Sequence, residues 1–176
     1  MTTSLFDLYK IGVGPSSSHT MGPMRAASRF ARGLAERGVL ERVARVRVDL
    51  YGSLALTGKG HATDRAVLLG LAGNEPATID PAVIEETIAL IRSNKKLALN
   101  GSVILLFDEA DTLFLHRDTM YPPGAKMQHP NGVRFTAYDS AGSEIEQSTF
   151  FSIGGGFIVQ DGVETSSTQA QDKKKV

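Results

Sequence analysis

Apolar residues along this chain recur mainly with a helical period up to about residue 95 and with a strand period beyond it, and that switch limits the available folds more than any other feature. After Pro23, residues Met24, Ala27, Ala31 and Leu34 fall at intervals of three and four, with Arg25, Arg29, Arg32 and Glu36 largely on the other faces. The spacing predicts a helix that packs on one side and stops at Gly38. One strand interrupts the helices: from Val43 to Tyr51, Ala44, Val46, Val48 and Leu50 alternate with Arg45, Arg47 and Asp49. The run Ala66, Val67, Leu68, Leu69 and Leu71 is rich in Ala and Leu rather than β-branched residues and reads as a short buried helix ended by Gly70 or Gly73. Asp80 reads as the cap of a further helix with Pro81 at its first position, a stripe of Ile84, Ile88 and Ile91, and an end near Lys95 and Lys96.

In the second half, Val103 to Phe107, Leu113 to His116, Val133 to Tyr138 and Ile145 to Phe151 are short β-prone runs separated by Gly, Pro, Asn and Asp. Gly154, Gly155 and Gly156 interrupt them before Phe157, Ile158 and Val159, as a bulge or a close backbone approach would require. Together the two halves predict an α+β fold, with helices packed on a mainly antiparallel sheet. Residues 1–160 are expected to form one domain, and 161–176, polar and poor in apolar residues, a disordered tail or the start of a linker.

Composition removes several function classes. Lys plus Arg and Asp plus Glu both number 19, so there is no basic footprint for a phosphate backbone, and nucleic acid is not an expected partner. Apolar runs all fall short of the roughly 20 residues that cross a bilayer, and Met1 to Lys10 lacks a basic segment followed by a long apolar stretch. A cytoplasmic protein with no membrane partner is expected. With no cysteine, the chain cannot form disulfides, use a thiol nucleophile or hold an iron–sulfur cluster on its own thiolates.

Two constellations carry candidate chemistry. Ser16, Ser17, Ser18, His19 and Thr20 form a hydroxyl-rich loop that runs into a predicted helix start, where unpaired amides and a partial positive charge favour an anion such as a carboxylate. The simpler reading is a helix cap by Ser18 or Thr20. A serine nucleophile has only the adjacent His19 as a base, which is poor geometry for a hydrolase. In Gly58-Lys59-Gly60-His61, followed by Thr63 and Asp64, the glycines allow close approach to a ligand, and a histidine at a helix start is held neutral and able to accept a proton. The plain alternative is a structural histidine with Asp64 as a cap. His116 and His129 have no metal-ligand spacing and read as structural or exposed.

The segment Ser4-Leu5-Phe6-Asp7-Leu8-Tyr9-Lys10-Ile11-Gly12-Val13-Gly14-Pro15-Ser16-Ser17-Ser18-His19-Thr20, with Gly22-Pro23-Met24, resembles the opening of bacterial iron-sulfur-dependent L-serine dehydratases. The likeness continues in order through Tyr51-Gly52-Ser53-Leu54, Gly58-Lys59-Gly60-His61, His129-Pro130-Asn131-Gly132 and Ser152-Ile153-Gly154-Gly155-Gly156, over about residues 4–160. It implies the beta domain of an L-serine ammonia-lyase, a carbon–nitrogen lyase of amino-acid catabolism that converts L-serine to pyruvate and ammonia without pyridoxal phosphate. In that family a 4Fe-4S cluster acts on the departing hydroxyl, and its cysteines lie in a second, mostly helical alpha domain.

The resemblance therefore implies a chain that is inactive alone, either a fragment of a single-chain enzyme or the smaller subunit of a two-chain form. Its partners would be the cluster-bearing domain or subunit, L-serine, and further copies of itself in a homo-oligomer. His61 would be the base that removes the α-proton. Ser16, Ser17, Ser18, His19, Thr20, Lys59 and Gly60 would bind the substrate or shape the pocket mouth. A beta domain without its partner should also expose an apolar docking face. The same domain type resembles the allosteric substrate-binding domain of some phosphoglycerate dehydrogenases, which gives the alternative of a regulatory amino-acid-binding or scaffolding module in which His61 has no catalytic role.

Overall fold

The first long helix, α1 (Gly22–Glu36), follows from its stripe: Met24, Ala27, Phe30, Ala31 and Leu34 are all buried in it, and Arg29 and Arg32 face water. The computed structural model describes residues 14, 16–57, 62–118 and 129–162. In chain order the remaining elements are β1 (Arg45–Tyr51), α2 (Ser53–Thr57), α3 (Thr63–Leu71), α4 (Pro81–Asn94), β2 (Lys96–Leu99), β3 (Val103–Leu106), α5 (Glu109–Thr112), β4 (Leu113–His116), β5 (Gly132–Tyr138), β6 (Glu144–Gly154) and β7 (Phe157–Gln160).

Five strands form one sheet in the order β4-β1-β5-β6-β7, antiparallel throughout except for the parallel pair β1 and β4. This is the predicted α+β architecture. Alternation on β1 sends Val46, Val48 and Leu50 into the core and Arg47, Asp49 and Tyr51 to the opposite face. The core lies between that inner face and the helices. Phe30 of α1 stacks on Phe135 of β5 with ring centroids 5.2 Å apart, and Phe150 of β6 meets Phe135 edge-on at 6.0 Å. Each such ring contributes about 1.5–3 kcal/mol through burial. Helix α3 lies directly on α1 because position 70 is glycine: a Cβ there would stand 2.2 Å from the Met24 carbonyl oxygen.

The Asp80 cap is as expected, its Oδ1 accepting from the Ala82 amide at 2.9 Å, and α4 ends where Lys95 turns left-handed at φ +50°. Three features depart from the sequence reading. Lys96–Leu99 continues as a strand, β2, paired with β3 in a separate two-stranded sheet, although its KLAL sequence carries no β-branched residue to mark it. The short helices α2 and α5 carry too few residues for periodicity to reveal them. The serine-rich segment is not a loop, since Ser17–Met21 is a single π-helical turn that continues into α1.

Gly22 is accordingly not a break. It sits inside the helical run, with Pro23 beside it in the first turn of α1, where a missing N–H is tolerated. The triple glycine makes the turn between β6 and β7, all three residues having positive φ, with a register irregularity between Ser152 and Gly154. Among the described residues no helix is long and apolar enough to cross a membrane. The N-terminal segment 1–13, the 58–61 segment and most of the expected tail, from 163 onward, lie outside the described residues.

Candidate functional site

Ser16 initiates the site. Its backbone is extended at φ −121° and ψ 127°, and its Oγ accepts from the His19 amide at 3.2 Å, so Ser16 is the cap that the sequence reading sought at Ser18 or Thr20. With Ser16 as cap, the side chains of Ser18 and His19 are left to other partners. The His19 ring is held at both nitrogens: Nδ1 lies 2.8 Å from Ser18 Oγ and Nε2 2.7 Å from Ser53 Oγ. A neutral imidazole has one donor and one acceptor nitrogen, so the two hydroxyls take opposite roles toward it. Ser16 Oγ stands 3.4 Å from Ser18 Oγ, which extends the cluster.

The turn's backbone is clamped from two directions. Ser152 Oγ donates to the Ser18 carbonyl at 2.6 Å, and Thr63 Oγ1 donates to the His19 carbonyl at 2.5 Å. Gly22 admits the first contact, because a Cβ there would stand 2.0 Å from Ser152 Oγ. Ser53 is fixed in turn by its amide, which donates to the Pro130 carbonyl at 2.7 Å. Gly52 before it has φ +54° and lies against that same carbonyl, where any side chain would collide. The Asn131 amide donates to His129 Nδ1 at 3.2 Å, Asn131 Nδ2 donates to the Ser152 carbonyl at 3.2 Å, and the Ser152 amide returns a bond to the Asn131 carbonyl at 3.0 Å. Among the described residues Asn131 Oδ1 is buried without a hydrogen-bond partner, a cost of about 1–3 kcal/mol.

Of the sequence-derived candidates, Ser16, Ser18 and His19 come together, Ser17 is exposed beside them, and Thr20 is fully buried beneath. Lys59, Gly60 and His61 lie outside the described residues. Their described flanks are both tied to His19: α2 begins at Ser53, which meets the ring, and α3 begins at Thr63, which meets the carbonyl. Ser53, Asn131 and Ser152 were not picked as site residues from sequence. Their signal was present in the motifs that contain them, but hydroxyls and an amide on separate strands and turns show no common spacing.

A second polar cluster occupies the sheet face away from the helices. Arg47 Nε and Nη2 reach Asp49 at 2.8–3.1 Å, and His116 Nε2 lies 2.7 Å from Asp49 Oδ1. Burial pushes the Asp49 carboxyl up, but the hydrogen bonds and charges of Arg47 and His116 outweigh it and hold the group below its ordinary value. The Arg47 guanidinium, bonded to that carboxylate, is raised. His116 also stacks on Tyr51 at 4.6 Å, so both remaining histidines of the β-rich half are packed in place, His129 edge-on against Phe151 at 6.3 Å.

No cysteine is present, and among the described residues no group of three His, Asp or Glu side chains stands together as a metal site. The hydroxyl and imidazole set around His19 suits an organic anion rather than a cluster that needs thiolates. Comparison with known proteins gives one consistent result. The profile of the serine dehydratase beta chain family matches residues 4–163. An L-serine dehydratase of Streptomyces coelicolor is 47% identical over 161 residues, 92% of this chain and 34% of its own length. L-serine dehydratase 1 of Escherichia coli K12 is 47% identical over 160 residues, 90% and 34%, and the L-serine dehydratase of Helicobacter pylori 42% over 159, 88% and 32%. The chain spans about a third of the length of the curated relatives it matches.

Proposed function

Because this chain belongs to the serine dehydratase beta chain family, we propose that it is the beta part of an L-serine ammonia-lyase and forms one wall of that enzyme's active site. The reaction removes the α-proton and the β-hydroxyl of L-serine as water. The aminoacrylate left behind tautomerises to an imine, and water hydrolyses the imine to pyruvate and ammonia. The observation that carries the reading is the convergence of Ser16, Ser18, His19 and Ser53, with the clamping Ser152 and Asn131, from segments far apart in sequence onto one end of the sheet.

Hydroxyls oriented by a fixed imidazole supply donors for the serine carboxylate, with Ser17 exposed at the mouth and Lys59 and Gly60 assigned to the same task. His61 is assigned to α-proton removal. Support comes from its position one residue before Ala62, whose left-handed φ of +57° leads into α3 and Thr63's bond to His19. The 4Fe-4S cluster finds no fitting ligand set in this chain and belongs to the cysteine-bearing alpha partner, so the steps assigned to this chain are substrate binding and proton transfer. Leu56, three residues after Ser53, and Ile153, next to Ser152, are exposed and suit the docking of that partner, as does exposed Phe157. We assign the assembled enzyme to the cytoplasm.

The test is pyruvate formation from L-serine after anaerobic reconstitution of this chain with the alpha domain of a relative. Wild type is expected to turn over, His61→Ala to lose at least a hundredfold in kcat, as a missing general base costs about 10²–10⁴, and Ser17→Ala to raise KM. Undiminished turnover in His61→Ala with the cluster absorbance intact returns His61 to a structural role. It then favours the binding-module reading, in which the chain takes up an amino acid and catalyses nothing.

A further inference from the structure

Helix α1 and strand β6 run in opposite directions, with Gly22 lying on Ser152 at one end and Arg37 Nε meeting Glu146 Oε2 at 3.2 Å at the other. Alternation on β6 therefore turns Glu146, Ser148, Phe150 and Ser152 toward the helix, and the register of β7 sets Gln160 beside Phe150. Between the two ends the helix does not seal against the strands. A cavity of about 160 Å³ opens there, walled by Arg29, Gly33 and Arg37 on the helix side and by Ser148 and Gln160 on the sheet side. Phe30 and Phe150, both buried, line it toward the core.

Three observations distinguish this cavity from a gap in the packing. Ser148 is only 7% exposed, yet its hydroxyl makes no hydrogen bond among the described residues, and a buried hydroxyl is seldom left so. The side chains of Arg29, at the water-facing mouth, and of Gln160 likewise have no partner among the described residues, although both are donors. Gly33 occupies a helix interior, where glycine is less stable than alanine, and the Arg37 guanidinium lies over it: a Cβ at 33 would stand 3.1 Å from Nη2 and 3.5 Å from Nη1. A hydroxyl, an amide and two guanidinium groups thus face one space. Against them stands one carboxylate on the wall, Glu36, which is seven positions or about 10 Å along the helix from Arg29. The Arg29 end is therefore clear of that charge and of the negative helix terminus, whose influence is confined to the last turn.

We propose that this cavity is a binding site for a small oxyanion, a short-chain carboxylate or inorganic phosphate, held by Arg29, Ser148 and Gln160 with the Arg37 guanidinium on its flank. The volume fits: a cavity of about 150 Å³ takes up a molecule the size of benzene, which admits pyruvate or phosphate and excludes a nucleotide. A guanidinium meets a carboxylate or a phosphate through two parallel hydrogen bonds, the hydroxyl and the amide add neutral donors, and the two rings offer an apolar side to a short carbon chain. The site is separate from the cluster around His19. Gly33 is about 16 Å along α1 from Gly22, and Ser148 about 13 Å along β6 from Ser152. The inference does not depend on the proposed reaction. Because α1 and β6 carry the serine-rich turn and Ser152 at their other ends, a bound anion ties together the two elements on which the candidate site is built.

The experiment is a ¹⁵N-resolved NMR titration of the full chain with sodium pyruvate and, separately, with sodium phosphate, each to about 20 mM at constant ionic strength. The backbone amides of Gly33 and Ser148 and the side-chain amide of Gln160 are expected to shift along saturating curves, with Kd near about 1 mM. Saturation by pyruvate alone assigns the site to carboxylates, by phosphate alone to phosphate, and competition between the two to their shared chemistry. Arg29→Gln, at an exposed position, should weaken binding about tenfold, and Ser148→Ala about threefold. Gly33→Ala separates binding from packing: it favours the helix but displaces the Arg37 guanidinium, so the urea midpoint should hold or rise while affinity falls by about threefold or more. Shifts that stay linear and unsaturated with both anions overturn the proposal, as do saturating shifts at these residues that Arg29→Gln leaves unchanged.

Discussion

His19 is the side chain on which the candidate site turns, because both ring nitrogens meet hydroxyls contributed by different parts of the chain. Ser18 is its neighbour, whereas Ser53 comes from the start of α2, 34 positions on. Adjacent residues seldom aim side chains at one another, and here they do so within the single π-helical turn in front of α1. Ser53→Ala should release Nε2 without disturbing the fold. The expected effects are a change in the ¹⁵N shift of His19 Nε2, unaltered circular dichroism, and, in the reconstituted enzyme, a loss of serine affinity of about tenfold, the equivalent of one hydrogen bond near 1.4 kcal/mol. Unchanged ¹⁵N shifts would show that the ring is positioned by other contacts. Ser16 to His19 could be read from sequence as polar chemistry at a helix start. That Ser16 caps and Ser53 orients could not, because capping depends on one φ/ψ pair and the Ser53 contact on tertiary packing.

Between elements, the parallel pairing of β4 with β1 is held on its outer face by one carboxylate. Asp49 of β1 is only 4% exposed and binds Arg47 of its own strand and His116 of β4. Its folded pKa is below the ordinary value of 3.8, so its stabilising contribution is present above that value and is lost as pH falls through the lower folded one. The urea midpoint should therefore decline steeply below about pH 4. Asp49→Asn should lower stability at neutral pH by about 1–3 kcal/mol and flatten that acid limb. An acid limb of unchanged slope in the variant would place the sensitivity in other carboxylates. This pairing also marks where sequence reading stopped. Leu113 to His116 was recognisable as a strand, but Arg47, Asp49 and His116 meet only because β4 returns beside β1, a topology that alternation alone does not encode. The amphipathic stripe of α1, the Asp80 cap of α4 and the alternation of β1 were legible because each is repeated locally over several residues.

The candidate site draws on segments far apart in the chain: the turn before α1, the ends of β1 and β6, the starts of α2 and α3, and the residues entering β5. No two of these segments form a site by themselves, so the site exists only when the sheet and helices have assembled. Glycine enforces the closeness at two tight points of the site, Gly22 against Ser152 and Gly52 against Pro130. The order of the motifs in the sequence showed that they belong together, and only the fold shows that Ser152 joins them. Ser152 is 1% exposed and bridges the turn at Ser18 and the Asn131 segment. Ser152→Ala removes the donor to the Ser18 carbonyl and should cost about 1–3 kcal/mol. If the site is as dependent on the whole fold as these contacts indicate, the His19 resonances and the far-UV signal should be lost at the same, lowered urea concentration, as in a two-state transition. Loss of the His19 signals well before the sheet unfolds would show instead that the turn opens locally and that Ser152 is a latch on one segment.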